Sequence, residues 1–326
     1  MKFLLTAINA KFIHSNPAIY SLRAGVGEKL QPYVELAEFT INESLESILE
    51  GIWKRQPKVI GFSCYIWNWK LIREILTELP KILPDTEIWL GGPEVTYDGP
   101  GLLSEFPQVT GIMVGEGEVT FREVLDQYVR EAESTGRSEQ QPEPDSIEQQ
   151  AADRTGTVTG KTVAERFGQI PGLCLASGYT APRKLTDLTT LPFLYEDMEP
   201  FTNRIIYYET SRGCPYRCSY CLSSIDKKVR LRDIDVVKRE LQFFLDQNVK
   251  QVKFIDRTFN CDHKHAMEIW RYIYEHDNGV TNFHFEISAD ILREEEIALL
   301  NRFRPGLAQL EIGVQSTNPE TIRAIH

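Results

Sequence analysis

The sequence predicts an α/β protein in two parts, a doubly wound parallel sheet followed by a partial (βα) barrel. Three observations predict it. Over roughly the first 130 residues, short apolar strand-like runs alternate with amphipathic helical stretches. A polar, acidic segment then interrupts the pattern. From Ile205 the alternation resumes and continues to the end of the chain.

In the first part, residues 2–9, 33–39, 59–64, 87–90 and 111–114 read as five strands with helical stretches between them. Repeated βα units of this length build a sheet of the Rossmann-like, flavodoxin type. Ligands of such sheets gather outside the carboxyl ends of the strands, so the informative residues follow each strand: 9–14, 63–67, 91–94 and 115–118. Two of these loops, Gly91-Gly-Pro-Glu94 and Gly115-Glu-Gly-Glu118, are glycine-rich, which permits close backbone approach to a bulky ligand but serves equally well for plain turns.

Residues 131–153 hold seven acids against one base, Arg137, which is more than half of the formal net charge of -11. With so few apolar residues this stretch reads as a solvated linker, spanning 131–169 and ending the first domain at 130. Residues 170–204 read as an extended connector. The second domain, 205–326, begins with a strand ending at Thr210. A helix over 235–247 follows, with Asp235 as N-cap, Asn248 just past its end, and Val237, Leu241, Phe244 and Leu245 on one face. Strands at 251–256, 283–287 and 310–314 alternate with helices at 266–276 and 294–303, and a further helix begins near Thr321. About four βα units curl into a partial barrel, whose chemistry belongs at the carboxyl ends of its strands. Asp256, Glu286 and Gln315 are the polar candidates there. The fourth strand lacks a neighbour, so the chain reads as a fragment, a truncated product or one half of a split enzyme, with a second polypeptide as a candidate partner.

A chain of 326 residues, 42% hydrophobic and 25% charged, has the length for two cores. The first twenty residues lack the basic start and long apolar stretch of an export signal, and no run approaches membrane-spanning length, which predicts a cytoplasmic protein. The acidic balance argues against a nucleic-acid partner, and the one compact basic cluster, residues 227–232, reads as a solvated face. Half of the six cysteines lie in one loop, which fits a reducing compartment better than a disulfide framework. The others, Cys64, Cys174 and Cys261, read as small buried hydrophobes.

The loop is Ser211-Arg-Gly-Cys-Pro-Tyr-Arg-Cys-Ser-Tyr-Cys221. Its C-x-x-x-C-x-x-C spacing wraps the thiols of Cys214, Cys218 and Cys221 around one small cluster. Iron-sulfur clusters usually take four cysteines, so three leave one iron open to another molecule. Structural zinc is the alternative. It requires a fourth Cys or His, and the nearest, Cys261 and His263, lie beyond another strand and form no second pair of the usual spacing.

This run, with Tyr220 directly before the last cysteine, resembles the signature of the radical S-adenosylmethionine (SAM) superfamily. The resemblance implies that Cys214, Cys218 and Cys221 hold a [4Fe-4S] cluster, that SAM binds its open iron, and that an electron from the cluster cleaves SAM to a 5'-deoxyadenosyl radical. It implies SAM contacts from Tyr220, Asp256, Glu286 and Gln315. Together with the cysteine loop, Leu90-Gly-Gly-Pro93 and Val114-Gly-Glu-Gly-Glu-Val-Thr-Phe121 look like the cobalamin-binding domain that precedes the radical SAM core in one large subfamily of methyltransferase type. Cobalamin would then lie over Ser63, Tyr65, Gly91, Gly92, Pro93, Gly115 and Glu116. The D-x-H-x-x-G loop that supplies a cobalt-ligating histidine elsewhere is absent, although His14 follows the first strand. The implied activity is methylation of an unactivated carbon in a small-molecule or peptide substrate, with a flavodoxin- or ferredoxin-type electron donor. A radical cyclisation or rearrangement, or a non-catalytic partner subunit that binds cobalamin and a cluster, are the alternatives. No side chain is assigned to catalysis.

Overall fold

The computed structural model describes residues 1–138 and 160–325, which divide into two compact units, Met1–Thr186 and Asp187–His326. In the first unit β1 (Phe3–Asn9), β2 (Val34–Thr40), β3 (Val59–Ser63), β4 (Glu87–Gly91) and β5 (Val109–Met113) form a parallel sheet. Two short strands, β6 (Leu173–Leu175) and β7 (Gly178–Tyr179), extend it antiparallel from β5, in the order β2-β1-β3-β4-β5-β6-β7. The helices are α1 (Pro17–Gly25), α2 (Leu45–Trp53), α3 (Trp69–Ile82), α4 (Gly99–Glu105), α5 (Gly117–Ser138) and α6 (Val163–Phe167).

β1 is buried along its whole length because both sheet faces are covered. Phe3, Leu5 and Ala7 join Ile19 of α1 with Phe121, Val124 and Leu125 of α5. Leu4 and Ile8 join Ile48 and Ile52 of α2 with Ile72, Ile75 and Leu76 of α3 on the other face. Since β1 pairs with both β2 and β3, the winding reverses there and opens a crevice beyond their carboxyl ends.

The expected linker, 131–169, turns out differently at both ends, while residues 139–159 lie outside the described residues. α5 continues to Ser138. The Arg166 side chain is fully buried and forks both Glu87, at 2.9 and 3.1 Å, and Glu131, at 2.9 Å, beneath the ring of Tyr128. Thus Glu131, counted among solvated acids, is an internal counter-ion. Its partner stands 35 residues away, a pairing that local composition does not reveal. Residues 173–179, expected as connector, complete the sheet edge instead.

In the second unit β8 (Ile206–Tyr208), β11 (Gln251–Phe254), β12 (Asn282–Ile287) and β13 (Ala308–Ile312) form a parallel sheet in the order β13-β12-β11-β8. A hairpin of β9 (Ser211–Arg212) and β10 (Arg230–Leu231) lies between β8 and β11 in the chain. The helices are α7 (Ile234–Asp246), α8 (His263–Glu275), α9 (Glu294–Leu300) and α10 (Pro319–Ile325). The described residues of this unit contain four βα units.

The N-cap of α7 is Asp233 rather than Asp235. Its carboxylate accepts the amides of both Asp235 and Val236, the first-turn donors that a helix leaves unpaired. One sheet face packs Tyr208, Phe254 and Phe285 edge-on or tilted against Phe244, Phe259 and Trp270. β13 is a sheet edge, with Ile312 and Val314 exposed. Among the described residues, no helix is long and apolar enough to cross a membrane.

Candidate functional site

Two groups of predicted residues, one in each unit, are each brought together by their own sheet. In the first unit Ser63, Tyr65, Gly91, Gly92, Pro93, Gly115 and Glu116 all end or follow β3, β4 or β5, at the carboxyl end of the sheet. Gly92 has φ +113°, and a Cβ there would stand 2.4 Å from the Cys64 carbonyl oxygen, so neither the conformation nor the space admits a side chain. Cys64 in turn donates its amide to the Gly91 carbonyl at 2.7 Å, locking the two loops together. Gly92→Ala is expected to lower the unfolding free energy of this unit by about 1–3 kcal/mol, the cost of a strained backbone residue, as read by denaturant titration. An unchanged midpoint would contradict it. Gly115 has φ +81° and open space around it.

Several residues of this end were not singled out from sequence. Asn68 is buried, donates to the carbonyls of Ile8 and Ser63 at 3.0 and 2.9 Å, and accepts the Tyr65 amide at 2.8 Å. It stitches β1 to β3 where the winding reverses. Asn16 donates to the Ser63 hydroxyl at 3.2 Å, and Glu38 accepts from Asn9, Asn16 and Tyr20. An asparagine beside a strand end is the signal that could have drawn notice. Around this polar frame Phe12, Ile13, Ile66, Trp67 and Tyr97 are exposed, and Tyr65 stacks on Trp67 with ring centroids 4.4 Å apart. Apolar rings over a fixed polar floor suit a flat, largely apolar ligand. Glu116 accepts the Thr186 amide at 2.6 Å, so one of its oxygens is engaged within the protein. Burial pushes the Cys64 thiol far up, and it stays protonated.

In the second unit the cysteine loop is a lariat closed at its neck. Ser211 and Arg212 pair with Leu231 and Arg230, and the Arg232 amide donates to the Thr210 carbonyl at 2.8 Å. Gly213, with φ +97°, lets the chain pass the Lys228 carbonyl, 2.4 Å from where a Cβ would lie. Cys214 then donates its amide to Asp226 at 2.9 Å. Arg232 anchors the neck by a two-pronged pair with Glu240 of α7, both contacts 2.7 Å, joined by the Tyr208 hydroxyl at 2.6 Å. The basic run 227–232 is therefore no solvated face at its end: Arg230 pairs with Asp226 at 3.0 Å and Arg232 is buried.

Asp256 is turned to the same neck. Only 1% exposed, it accepts the Thr210 amide at 3.0 Å and the hydroxyls of Thr210 and Ser211, each at 2.6 Å. Three of its four acceptor positions are taken, which leaves little of the carboxylate for the SAM contact expected from sequence. Burial raises its pKa to about 6, against the opposing pull of the Ser211 and Thr210 hydrogen bonds.

Cys214 is buried, whereas Cys218 and Cys221 are partly exposed and joined by a Cys221 amide to Cys218 carbonyl bond of 3.1 Å. Tyr220 is exposed, its phenol raised by desolvation and then by the adjacent Cys218. Among the described residues, no three His, Cys, Asp or Glu side chains already surround a single-ion position. The donor set is three thiols in one loop, which suits iron-sulfur ligation. Cys261 is half-buried rather than a core residue. Its thiol is raised to about 11 by burial first and then by Cys214, so it is protonated at neutral pH. His263 Nδ1 is occupied by Glu296 at 2.8 Å.

Glu286 pairs with Lys253 at 3.4 Å, and Lys253 also meets Glu311 at 3.0 Å, with His284 Nε2 3.0 Å from the same carboxylate. These side chains share the sheet face opposite the aromatic core. Sequence reading found only Glu286, because strand alternation marks the face but not its cross-strand partners. Gln315 follows β13 and adopts φ +61°, an uncommon left-handed conformation for glutamine.

Two family models match the chain: "B12 binding domain" over residues 4–125 and "Radical SAM superfamily" over residues 208–326. A 2-(S-pantetheinyl)-carbapenam-3-carboxylate methyltransferase of Streptantibioticus cattleyicolor is 27% identical over 228 residues, covering 67% of this chain and 29% of that protein. An anaerobic magnesium-protoporphyrin IX monomethyl ester cyclase of Rubrivivax gelatinosus is 24% identical over 280 residues, 84% of this chain and 46% of that protein. The chain thus spans less than half the length of these relatives. Among solved structures, the radical S-adenosylmethionine methyltransferase TsrM of Kitasatospora setae, bound to tryptophan and a SAM analogue, superposes with a TM-score of 0.65 at 19% identity. The match covers 98% of this chain and 60% of that one, and it shows a shared fold.

Proposed function

Joining a B12-binding domain to a radical SAM domain, the chain belongs to the cobalamin-binding branch of the radical SAM superfamily, and from that premise we propose that it takes part in cobalamin-dependent radical methylation. When bound, a [4Fe-4S] cluster supplies the electron that cleaves SAM to a 5'-deoxyadenosyl radical, and cobalamin carries the methyl group to an unactivated carbon. The observation that carries this reading is the closed lariat that presents Cys214, Cys218 and Cys221 beyond the carboxyl end of β8.

In this reading those three thiolates ligate the cluster. Tyr220, Glu286 and Gln315 contact SAM. Asp256 acts by fixing the loop neck, in place of the direct SAM contact expected from sequence. Ser63, Tyr65, Gly91, Gly92, Pro93, Gly115 and Glu116 would cradle the corrin, with the Tyr65 ring stacked on the exposed ring of Trp67. The chain works in the cytoplasm, fed by a flavodoxin- or ferredoxin-type donor, on a small molecule or peptide. Lys253 and the carboxylates around it offer charged groups that could orient such a substrate.

Anaerobic reconstitution with iron, sulfide and cobalamin, followed by SAM and dithionite, is expected to yield 5'-deoxyadenosine and a cobalamin absorbance that stays with the protein through gel filtration. An intact SAM pool with both cofactors bound would favour a binding subunit instead. Failure to retain either cofactor would overturn the reading. A radical cyclisation is the second reading, favoured by the 280-residue match to a cyclase; a product of unchanged methyl count would select it.

A further inference from the structure

We propose that Thr258, just beyond β11, donates a hydrogen bond to the Cys214 sulfur and thereby sets the reduction potential of the cluster held by the lariat. The inference rests on the reading of Cys214 as a cluster ligand and goes beyond it by naming a tuning residue. Thr258 Oγ1 lies 3.5 Å from Cys214 Sγ. The hydroxyl oxygen of a threonine at the start of a helical turn ordinarily accepts a hydrogen bond from that turn's free amides. Thr258 occupies this N-cap position before the 3-10 turn Phe259–Cys261, yet its side chain makes no capping bond there. The hydroxyl is directed to sulfur instead.

The choice of sulfur is also informative. Cys218 and Cys221 are partly exposed and can take hydrogen bonds from water, whereas Cys214 is buried and depends on the protein for a donor. A thiolate has only acceptor capacity, so when Cys214 carries its ligating charge the proton of this contact belongs to Thr258. Reduction adds one negative charge to a cluster and its thiolates. A donor aimed at sulfur stabilises the reduced state more than the oxidised one and raises the potential. Only the part of this hydrogen bond's strength that differs between redox states shifts the potential.

The test is a redox titration of the reconstituted protein followed by electron paramagnetic resonance of the reduced cluster, on wild type, Thr258→Val and Thr258→Ser. Valine keeps the shape and removes the donor. Its midpoint is expected to fall by roughly 30–60 mV, equivalent to about three- to tenfold less reduced cluster at a fixed potential, since tenfold is 59 mV for one electron. Serine restores the hydroxyl and is expected to restore the midpoint. A valine variant whose remaining cluster titrates at the wild-type midpoint, even if less cluster is loaded, shows a structural role only and overturns the inference. Wild type that binds no cluster would instead overturn the ligand reading beneath it.

Discussion

Replacing Arg166 by alanine is expected to lower the stability of the first unit by about 3–5 kcal/mol, the usual effect of removing one partner from a buried ion pair. The guanidinium has no exposed side-chain surface and is held by Glu87 and Glu131, whose side chains are themselves 15% and 11% exposed. Alanine removes the guanidinium that bridges these two carboxylates and that lies over the Tyr128 and Phe167 rings. Trp89 reports on the same network, because its indole N–H donates to the Tyr128 hydroxyl at 2.8 Å and that hydroxyl donates to Glu87 at 2.7 Å. Denaturant unfolding followed by tryptophan fluorescence should therefore show an early transition in the variant. Adding Glu131→Gln should recover part of the loss, since it removes one of the two stranded charges. An unshifted midpoint for Arg166→Ala would show that the pair contributes nothing.

Asp256 carries the second large effect, with a sign that depends on pH. Its ordinary pKa of 3.8 rises to about 6 in the folded protein, chiefly through burial. A raised carboxyl contributes its full stability below about pH 4, where both folded and unfolded forms are protonated. That contribution is lost as pH climbs through about 6, because folding then requires burial of the charge. At 1.36 kcal/mol per unit, the loss is on the order of 3 kcal/mol. Relative to Asp256→Asn, which cannot ionise, wild type should lose stability by this order between pH 4 and pH 7; parallel stability curves would refute the assignment. Asp256→Ala should be less stable than Asn at all pH values, because it strands the Thr210 amide and two hydroxyls. A group that weakens the fold at neutral pH while holding the neck of the cysteine loop fits a functional rather than a purely structural placement.

Legibility differed between the two units for a physical reason. The five parallel strands were found within a residue or two because central strands such as β1 and β3 are buried on both faces, and an apolar run bounded by turn residues is a local signal. The site glycines were equally visible, since a positive φ such as that of Gly92 or Gly213 demands the residue type itself. The linker was misjudged where charge counting met Glu131, and the basic run where it met Arg232. Both depend on partners supplied by another element.

The sequence by itself determined the order of two α/β domains, the cysteine triplet and the glycine turns, because periodicity, spacing and backbone permissiveness are properties of neighbouring residues. Only the tertiary structure decided that Asp256 faces the lariat neck, that Thr258 turns from its helical turn to Cys214, and that Asn68 joins β1 to β3. Hydrogen-bond partners of buried polar groups are chosen by proximity in space, and desolvation makes that choice obligatory without leaving a trace in local sequence.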